Sequence, residues 1–356
     1  MRLSSRNANM YYNQAGALPT AAAEINPLQN PRCSTGGFVG VSALAKINLF
    51  LAIAGKRNDG YHDIVSVMQS LELCDRLTFS HVGDDVSCVP QVDFIVADCT
   101  GQMQGVQKQL HSICDNAAGV NHKKVHLPTG DDNLVVKAAN LFMREYNITT
   151  RVKITLDKHI PIGAGLGGGS SNAAATLHGL NRLFSLNISQ EELVALGAQL
   201  GADVPFCVMG GTALATGIGE KLTPLAPHPL CYILLAYPPI HVSTKEIFNM
   251  LQQPRLDSCT LAKLDSFFTA YSSKDASQIA QHLENAFIPI TSSVYPQITT
   301  LINDMKTHGA LGASMTGTGA TVFAYFENEH TAKRACDILQ QRHSNVRFIQ
   351  TATITS

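Results

Sequence analysis

The sequence predicts a mixed fold of strands and helices in a compact pair of domains, on three observations. A chain of 356 residues that is 45% hydrophobic can bury a large core, and its 15% of charged residues is ordinary for a folded protein. A strand, a glycine-rich loop and a helix follow one another in the middle of the chain. A second set of strands and helices begins near Pro224.

Residues 1–37 are polar, low in acids until Glu24 and without periodicity. They predict a disordered or loosely packed extension, with a bacterial extension preferred over a transit peptide. Order begins at Phe38 with "FVGVSALAKINLFLAIAG", an apolar, β-favouring run that ends in the turn "GKRNDGYHD", and strand signals continue over residues 64–79. From about 84 to 130 the pattern degrades, with apolar patches around 92–96, and this is read as an irregular insertion. "DDNLVVKAANLFMREY" starts a helix capped by Asp131 or Asp132, with Leu134, Ala138, Leu141 and Phe142 on its buried side. A later helix runs from about Ser189 to Gly201. Pro205 then blocks its continuation, and residues 206–215 read as a strand with a turn or bulge at Gly210 and Gly211.

The stretch "KHIPIGAGLGGGSSNAA" at residues 158–174 places five glycines within seven residues. Glycine loses more backbone freedom on folding than any other residue, so such a run needs a use for bare backbone, and the usual one is a ligand. Successive N–H groups can turn toward a phosphate, and a helix starting just after them adds the positive end of its dipole. Ahead of the run, Val152, Ile154 and Leu156 alternate with polar neighbours as in a half-buried strand. After it, Ser170 or Ser171 can cap a helix in which Ala173, Leu177, Leu180 and Phe184 recur at helical spacing. A flexible linker ranks lowest, because such linkers seldom join a strand to a patterned helix. Gly163, Gly165 and Gly168 satisfy the dinucleotide pattern G-x-G-x-x-G, but the strand before them alternates and the region after them is helical. The preferred reading is a nucleoside triphosphate site other than Walker A, since no Gly-Lys-Ser/Thr follows the glycines.

A net charge of −1 gives no reason to expect nucleic acid or an anionic membrane as partner, and no apolar run approaches the roughly 20 residues that span a bilayer. The nine cysteines are scattered without regular spacing, as expected of reduced thiols in a cytosol. Cys99, His111, Cys114, His122 and His126 match no standard zinc spacing, so no metal site is predicted. Lys46 interrupts an apolar strand, where a lysine most often snorkels from an edge. Asn48 shares its face two residues on, and the two could hold a phosphate and a hydroxyl. Asp203 stands between a helix end and a proline, as a cap or as a carboxylate that takes a proton from an attacking alcohol.

Six stretches, "ALAKINLFL", "NDGYHD", "DDNLVVKAA", "PIGAGLGGGSSNAA", "LGADVPF" and "MTGTGATV", occur in this order over residues 42–326. Together they resemble the GHMP small-molecule kinases, specifically the branch acting on 4-diphosphocytidyl-2-C-methyl-D-erythritol. Mevalonate, homoserine and galactose kinases share the glycine loop, but "AKINLFL" and "DGYH" point away from them. The resemblance implies an α+β, two-domain fold. Residues 38–222 would be an N-terminal mixed-sheet, ATP-binding domain with the glycine loop, residues 223–356 a C-terminal α/β domain, and the site would lie in the cleft.

It further implies transfer of the γ-phosphate of ATP to the 2-hydroxyl of that acceptor, in the non-mevalonate route to isoprenoids, with Asp203 as base and Lys46 as its cationic partner. Pro161, Gly163, Gly165, Leu166, Gly167, Gly168, Gly169, Ser170 and Ser171 would wrap the triphosphate, and Asn133 would help hold the nucleotide. His62 would hydrogen-bond the cytosine edge with Tyr61 and Phe248 stacked on its faces. Asn48 and Thr244 would contact the rest of the acceptor, and Thr316, Gly317, Thr318 and Gly319 would close the floor. Mg2+ would travel with ATP and keep much of its water, without a dedicated protein cage. The implied partners are small-molecule substrates only, for a cytoplasmic monomer or homodimer. Ala164 departs from the pattern by standing where a glycine is frequent, which matters only if the backbone there needs a positive φ. The extension and the long insertion are further departures. A non-catalytic nucleotide sensor is the rival reading, and intact Lys46 and Asp203 argue against it.

Overall fold

The computed structural model describes residues 38–82, 91–97, 130, 132–251 and 256–355. The extension at 1–37, most of the insertion, Asp131, and Cys99, His111, Cys114, His122 and His126 lie outside the described residues.

β1 (Phe38–Lys56) and β2 (His62–His81) form a long antiparallel pair, with Val41 opposite Leu77 and Ile53 opposite Ile64. β4 (Arg151–Asp157) lies antiparallel to β2, and β3 (Gln91–Ala97) lies parallel to β4. Part of the expected irregular insertion is therefore a strand: Val92, Phe94 and Val96 pack on the core, and pairing with β4 supplies order that a short apolar patch does not announce by itself. β5 (Thr212–Thr216) pairs with β2 and with β6 (Lys221–Pro224), and the two-residue β8 (Glu284–Asn285) pairs with β1. Among the described residues this first sheet has seven strands. A second, antiparallel sheet has the order β11-β7-β10-β9, from β7 (Tyr232–Tyr237), β9 (Gly312–Met315), β10 (Val322–Phe326) and β11 (Arg347–Ala352).

α1 (Leu134–Glu145) and α2 (Gly168–Leu183) cover one face of the first sheet, where Phe142, Leu177 and Leu180 meet Leu77, Phe79 and Ile154. The cap of α1 is Asn133, whose side chain accepts from Val135 N, and not Asp131 or Asp132. At α2 the N-cap is Gly167 in the left-handed region, φ 70°, with no side-chain cap, so Ser170 and Ser171 stand inside the first turn. α3 (Gln190–Ala198) has Ser189 and Glu192 in a reciprocal capping box. The expected strand over 206–215 is in fact α4 (Val204–Met209) followed by β5. α3 already closes at Ala198, and Pro205 lies in the first turn of the next helix, where its missing N–H costs nothing.

α5 (Thr244–Asn249), α6 (Ser258–Ser272), α7 (Ala276–Gln281), α8 (Ile288–Val294), α9 (Gln297–Thr307) and α10 (Glu329–Arg342) complete the described helices. α9 and α10 pack on the second sheet through Ile298, Leu301, Met305 and Leu339. The second half of β1 is enclosed on both sides, and every residue from 45 to 53 is buried. Lys46 and Asn48 fall in that enclosed stretch.

Candidate active site

Lys46 is 4% exposed, so it does not snorkel from an edge. Its Nζ lies 3.3 Å from Asp203 Oδ2 and donates to Asn48 Oδ1 at 3.1 Å. A buried ammonium needs such partners, since the cost of taking it out of water is met only by an opposite charge and hydrogen bonds. Asp203 occupies the N-cap position of α4, yet its side chain makes no capping bond. The second helical residue, Pro205, has no N–H to offer it. The carboxylate instead faces Lys46 and remains 35% exposed.

Asn48 is fixed by its partners. Its Nδ2 donates at 2.9 Å to Ser66 Oγ, which itself donates to Phe50 O, and its Oδ1 accepts from Gly317 N at 3.0 Å. Thr316 Oγ1 accepts from Asn48 N at 3.3 Å and lies 3.2 Å from Gly165 O, joining β1, the glycine loop and the loop after β9.

The glycine loop rests on this centre. Lys46 N donates to Leu166 O at 3.0 Å, and a Cβ on Gly167 would meet Lys46 Cγ at 2.8 Å. A Cβ on Gly165, where φ is 76°, would meet Thr316 O at the same distance. Both positions need bare backbone for space as well as for φ. Leu166 turns its side chain into the core, so only its backbone faces the site. Ala164 is not among the residues with positive φ, and its methyl is buried without strain, so that departure from the pattern is harmless. Pro161 is buried at the root of the loop, while Gly163 and Gly169 are exposed. No side chain caps the amides of Gly168, Gly169 and Ser170, and they face outward from the start of a sixteen-residue helix. Asn133 spends its Oδ1 on Val135 N at 2.8 Å, and the neighbouring Leu134 reaches within 3.5 Å of a Cβ built on Gly169.

A second group lies at the far ends of β1 and β2. The His62 ring stands 5.2 Å from that of Phe248, which packs on Phe287 at 4.8 Å. Thr244 and Phe248 share one face of α5, a turn apart. Thr244 Oγ1 lies 3.1 Å from Thr318 Oγ1, which ties this face to the loop of Thr316, Gly317, Thr318 and Gly319. Burial, and after it the charge of Lys56, holds the His62 imidazole below its ordinary pKa, which favours the neutral ring. Tyr61 stands at the rim with 61% of its surface open. The structure thus joins Lys46, Asp203, Asn48, Thr316, Gly317 and the glycine loop directly, and leaves Tyr61 at the margin.

Sequence reasoning did not find several supporting residues. Asp75, fully buried, accepts from His159 N at 2.7 Å and Ile160 N at 2.8 Å and pairs with Lys158 at the root of the loop. In "LELCDRLTF" it stands between Glu72 and Arg76, so the sequence does not single it out. Ser66 and Asn285 had no signal beyond being polar residues in apolar surroundings. Burial, and after it the charge of Asp203, raises the Cys207 thiol above its ordinary range, so it stays protonated beside the centre.

Residues 133–211 match the GHMP kinases N terminal domain, and residues 267–345 match the GHMP kinases C terminal. The chain is 40% identical over 298 residues to a 4-diphosphocytidyl-2-C-methyl-D-erythritol kinase of Lachnoclostridium phytofermentans, a match covering 83% of this chain and 91% of the relative. It is 38% identical to the kinase of that name from Caldicellulosiruptor saccharolyticus, covering 84% of this chain and 92% of the relative. A solved 4-(cytidine 5'-diphospho)-2C-methyl-D-erythritol kinase superposes with a TM-score of 0.64 at 27% identity, over 88% of this chain and 99% of its own. A homoserine kinase from Cytophaga hutchinsonii, 15% identical, shares the fold with a TM-score of 0.65 over 92% of this chain and 98% of its own. No helix among the described residues is long and apolar enough to cross a membrane. The chain belongs to the GHMP kinases and, within them, to the 4-diphosphocytidyl-2-C-methyl-D-erythritol kinases.

Proposed function

We infer that this chain transfers the γ-phosphate of ATP to the 2-hydroxyl of 4-diphosphocytidyl-2-C-methyl-D-erythritol, in the non-mevalonate route to isoprenoid precursors. The observation that carries this reading is the Lys46–Asp203 pair, 3.3 Å apart, beneath a glycine loop whose backbone rests on the same lysine. Phosphoryl transfer asks mainly for positioning and charge neutralisation. Asp203, partly open to solvent, accepts the proton of the hydroxyl as its oxygen attacks the γ-phosphorus. Lys46 holds the carboxylate in place and offers positive charge where negative charge gathers. Family membership and the joint occurrence of the six motifs support the acceptor assignment.

The residues present fit a triphosphate. Bare backbone at Gly165 and Gly167 makes room that a Cβ would fill, and the uncapped start of α2 suits an anion. Pro161, Gly163, Leu166, Gly168 and Gly169 shape this cradle, with Asn133 at the neighbouring helix start. The hydroxyls of Ser170 and Ser171 stand in the first turn of α2, where they would offer oxygens to a Mg2+ carried by the triphosphate, and that ion would supply neutralising charge. At the other end His62 pairs with the cytosine edge, Tyr61 and Phe248 cover its faces, and Asn48, Thr244, Thr316, Gly317, Thr318 and Gly319 hold the remainder. Residues 38–222 act as the nucleotide-holding domain and 223–356 as the second domain, in a cytoplasmic enzyme of small molecules.

The test is an ADP-release assay of the purified protein with ATP and magnesium, offering this acceptor, mevalonate, homoserine and galactose side by side. Turnover confined to the cytidylylated acceptor is the expected result. Turnover of another acceptor would discard the cytosine pocket while keeping the phosphate loop, and silence with all four would bring the sensor reading forward.

A further inference from the structure

One short segment, residues 285–291, touches both ends of the proposed acceptor site. Asn285 lies in β8, beside Leu51 of β1, and is 2% exposed. Its Nδ2 donates to Met315 O at 2.6 Å and to Gly317 O at 2.9 Å, and its Oδ1 accepts from Phe287 N at 2.8 Å. Both amide protons thus hold the floor loop and the amide oxygen holds the backbone of an aromatic residue. Phe287 backs Phe248, which faces His62. Gly317, gripped through its carbonyl, gives its own N–H to Asn48 Oδ1, the oxygen that also receives Lys46. Thr291, fully buried on α8, donates from Oγ1 to Thr318 O at 3.1 Å and adds a second hold on the same loop.

The groups that Asn285 ties together come from both sheets. His62, Lys46 and Asn48 stand on the first, and the floor loop joins β9 to β10 of the second. A buried amide with every proton matched is a stiff connector, because a rotated or shifted amide would strand buried polar groups. We propose that Asn285 is a positioning residue that sets the span between the base pocket at His62 and Phe248 and the transfer centre at Lys46 and Asp203. It thereby selects acceptors whose flat base and reactive hydroxyl lie a fixed distance apart. This proposal rests on the kinase reading above. Small errors of placement are expensive in a transfer reaction, since rate depends on near-attack geometry, so the span acts on turnover more than on the binding of either end alone.

The test is Asn285→Asp, which keeps the size and the oxygen for Phe287 N–H but turns the donor side into an oxygen facing two carbonyls. Steady-state kinetics with ATP and the cytidylylated acceptor are measured beside the equilibrium binding of cytidine diphosphate, the base-bearing fragment. The expected result is a loss of about tenfold or more in kcat/KM for the acceptor, with KM for ATP and the affinity for cytidine diphosphate within about twofold of wild type. Thr291→Val is expected to move the same ratio in the same direction by about threefold, and it decides the matter alone if Asn285→Asp does not fold. An unaffected acceptor kcat/KM overturns the proposal, as does a parallel loss for ATP, fragment and acceptor, which is the mark of general loosening. A wild-type protein inactive on this acceptor overturns the kinase reading and this proposal with it, whereas an active wild type with an indifferent variant overturns the proposal alone.

Discussion

Pro205 shapes the chemistry of its neighbour by lacking one proton. An aspartate at a helix N-cap ordinarily spends its carboxylate on the amides of the second and third helical residues. At α4 the second residue is this proline, and the Asp203 side chain makes no capping bond. Freed of that duty, it sits 3.3 Å from Lys46 Nζ and keeps contact with solvent. Asp203→Asn preserves size and removes the basicity, so kcat is expected to fall about 10²- to 10⁴-fold, the usual worth of a positioned general base. ATP affinity, measured by titration with a fluorescent nucleotide, should stay within about twofold because the cradle is backbone. A variant with wild-type turnover would remove Asp203 from the proton transfer. Lys46 illustrates the limit of reading one residue alone: a lysine in an apolar strand is usually an edge lysine. Only the pairing of β1 with β2 on one side and β8 on the other, with burial on both faces, shows that this one is internal.

Among the elements, the strand, loop and helix around residues 151–183 were legible because their signals are local. The period of two in β4 and the glycine spacing lie within a few residues of one another. The N-cap of α2 lies three or four residues before the expected serine caps, since a left-handed glycine can open a helix without a side-chain cap. α4 was misread as strand because Pro205 was weighed as a helix breaker, when its position in the first turn makes it a helix starter. β3 and β8 depend on partners far along the chain, and a two-residue strand carries no period at all. The root of the glycine loop shows the same dependence. Asp75 on β2 reaches across to the backbone of His159 and Ile160 and to Lys158, fixing the exit of β4 into the loop. Asp75→Asn takes the carboxylate from Lys158 and is expected to cost about 3 kcal/mol of stability, as for a buried pair that loses one partner. Because the defect lies at the root of the phosphate cradle, KM for ATP should rise while KM for the acceptor does not. Thermal melting with separate titrations of the two substrates checks this, and a lowered melting point with unchanged ATP kinetics would confine Asp75 to stability.

At the scale of the whole molecule, the candidate site draws on both sheets, and the second sheet is held by a polar cluster remote from it. His228, 1% exposed, has Nδ1 2.6 Å from Pro229 O and Nε2 3.1 Å from Tyr325 OH. The carbonyl requires a proton on Nδ1, so Nε2 is the acceptor of the tyrosine hydroxyl and the ring is neutral. Tyr325 lies on β10, Cys231 precedes β7, and Thr353, which follows β11, donates to Pro229 O at 3.0 Å, so three strands share this cluster. Burial raises Cys231 and Tyr271 to about 12 and holds Tyr325 well above its ordinary value, so these neighbours stay uncharged and offer His228 no counter-ion. Burial therefore lowers His228 from 6.5 to about 4.

The sign of the pH effect follows from which state takes the proton first. Between pH 6.5 and 4 the unfolded chain protonates this imidazole and the folded chain does not, so stability is fully present above the higher value and drains away as pH falls toward the lower. The gap corresponds to about 3 kcal/mol from this one group. His178, buried and lowered chiefly by desolvation, acts with the same sign. Unfolding measured across this range should show a steep acid-side loss in the wild type that is shallower in His228→Gln, which fills the site with a side chain that does not titrate. Parallel curves for the two proteins would mean that the loss comes from other groups and that His228 already carries its proton in the fold.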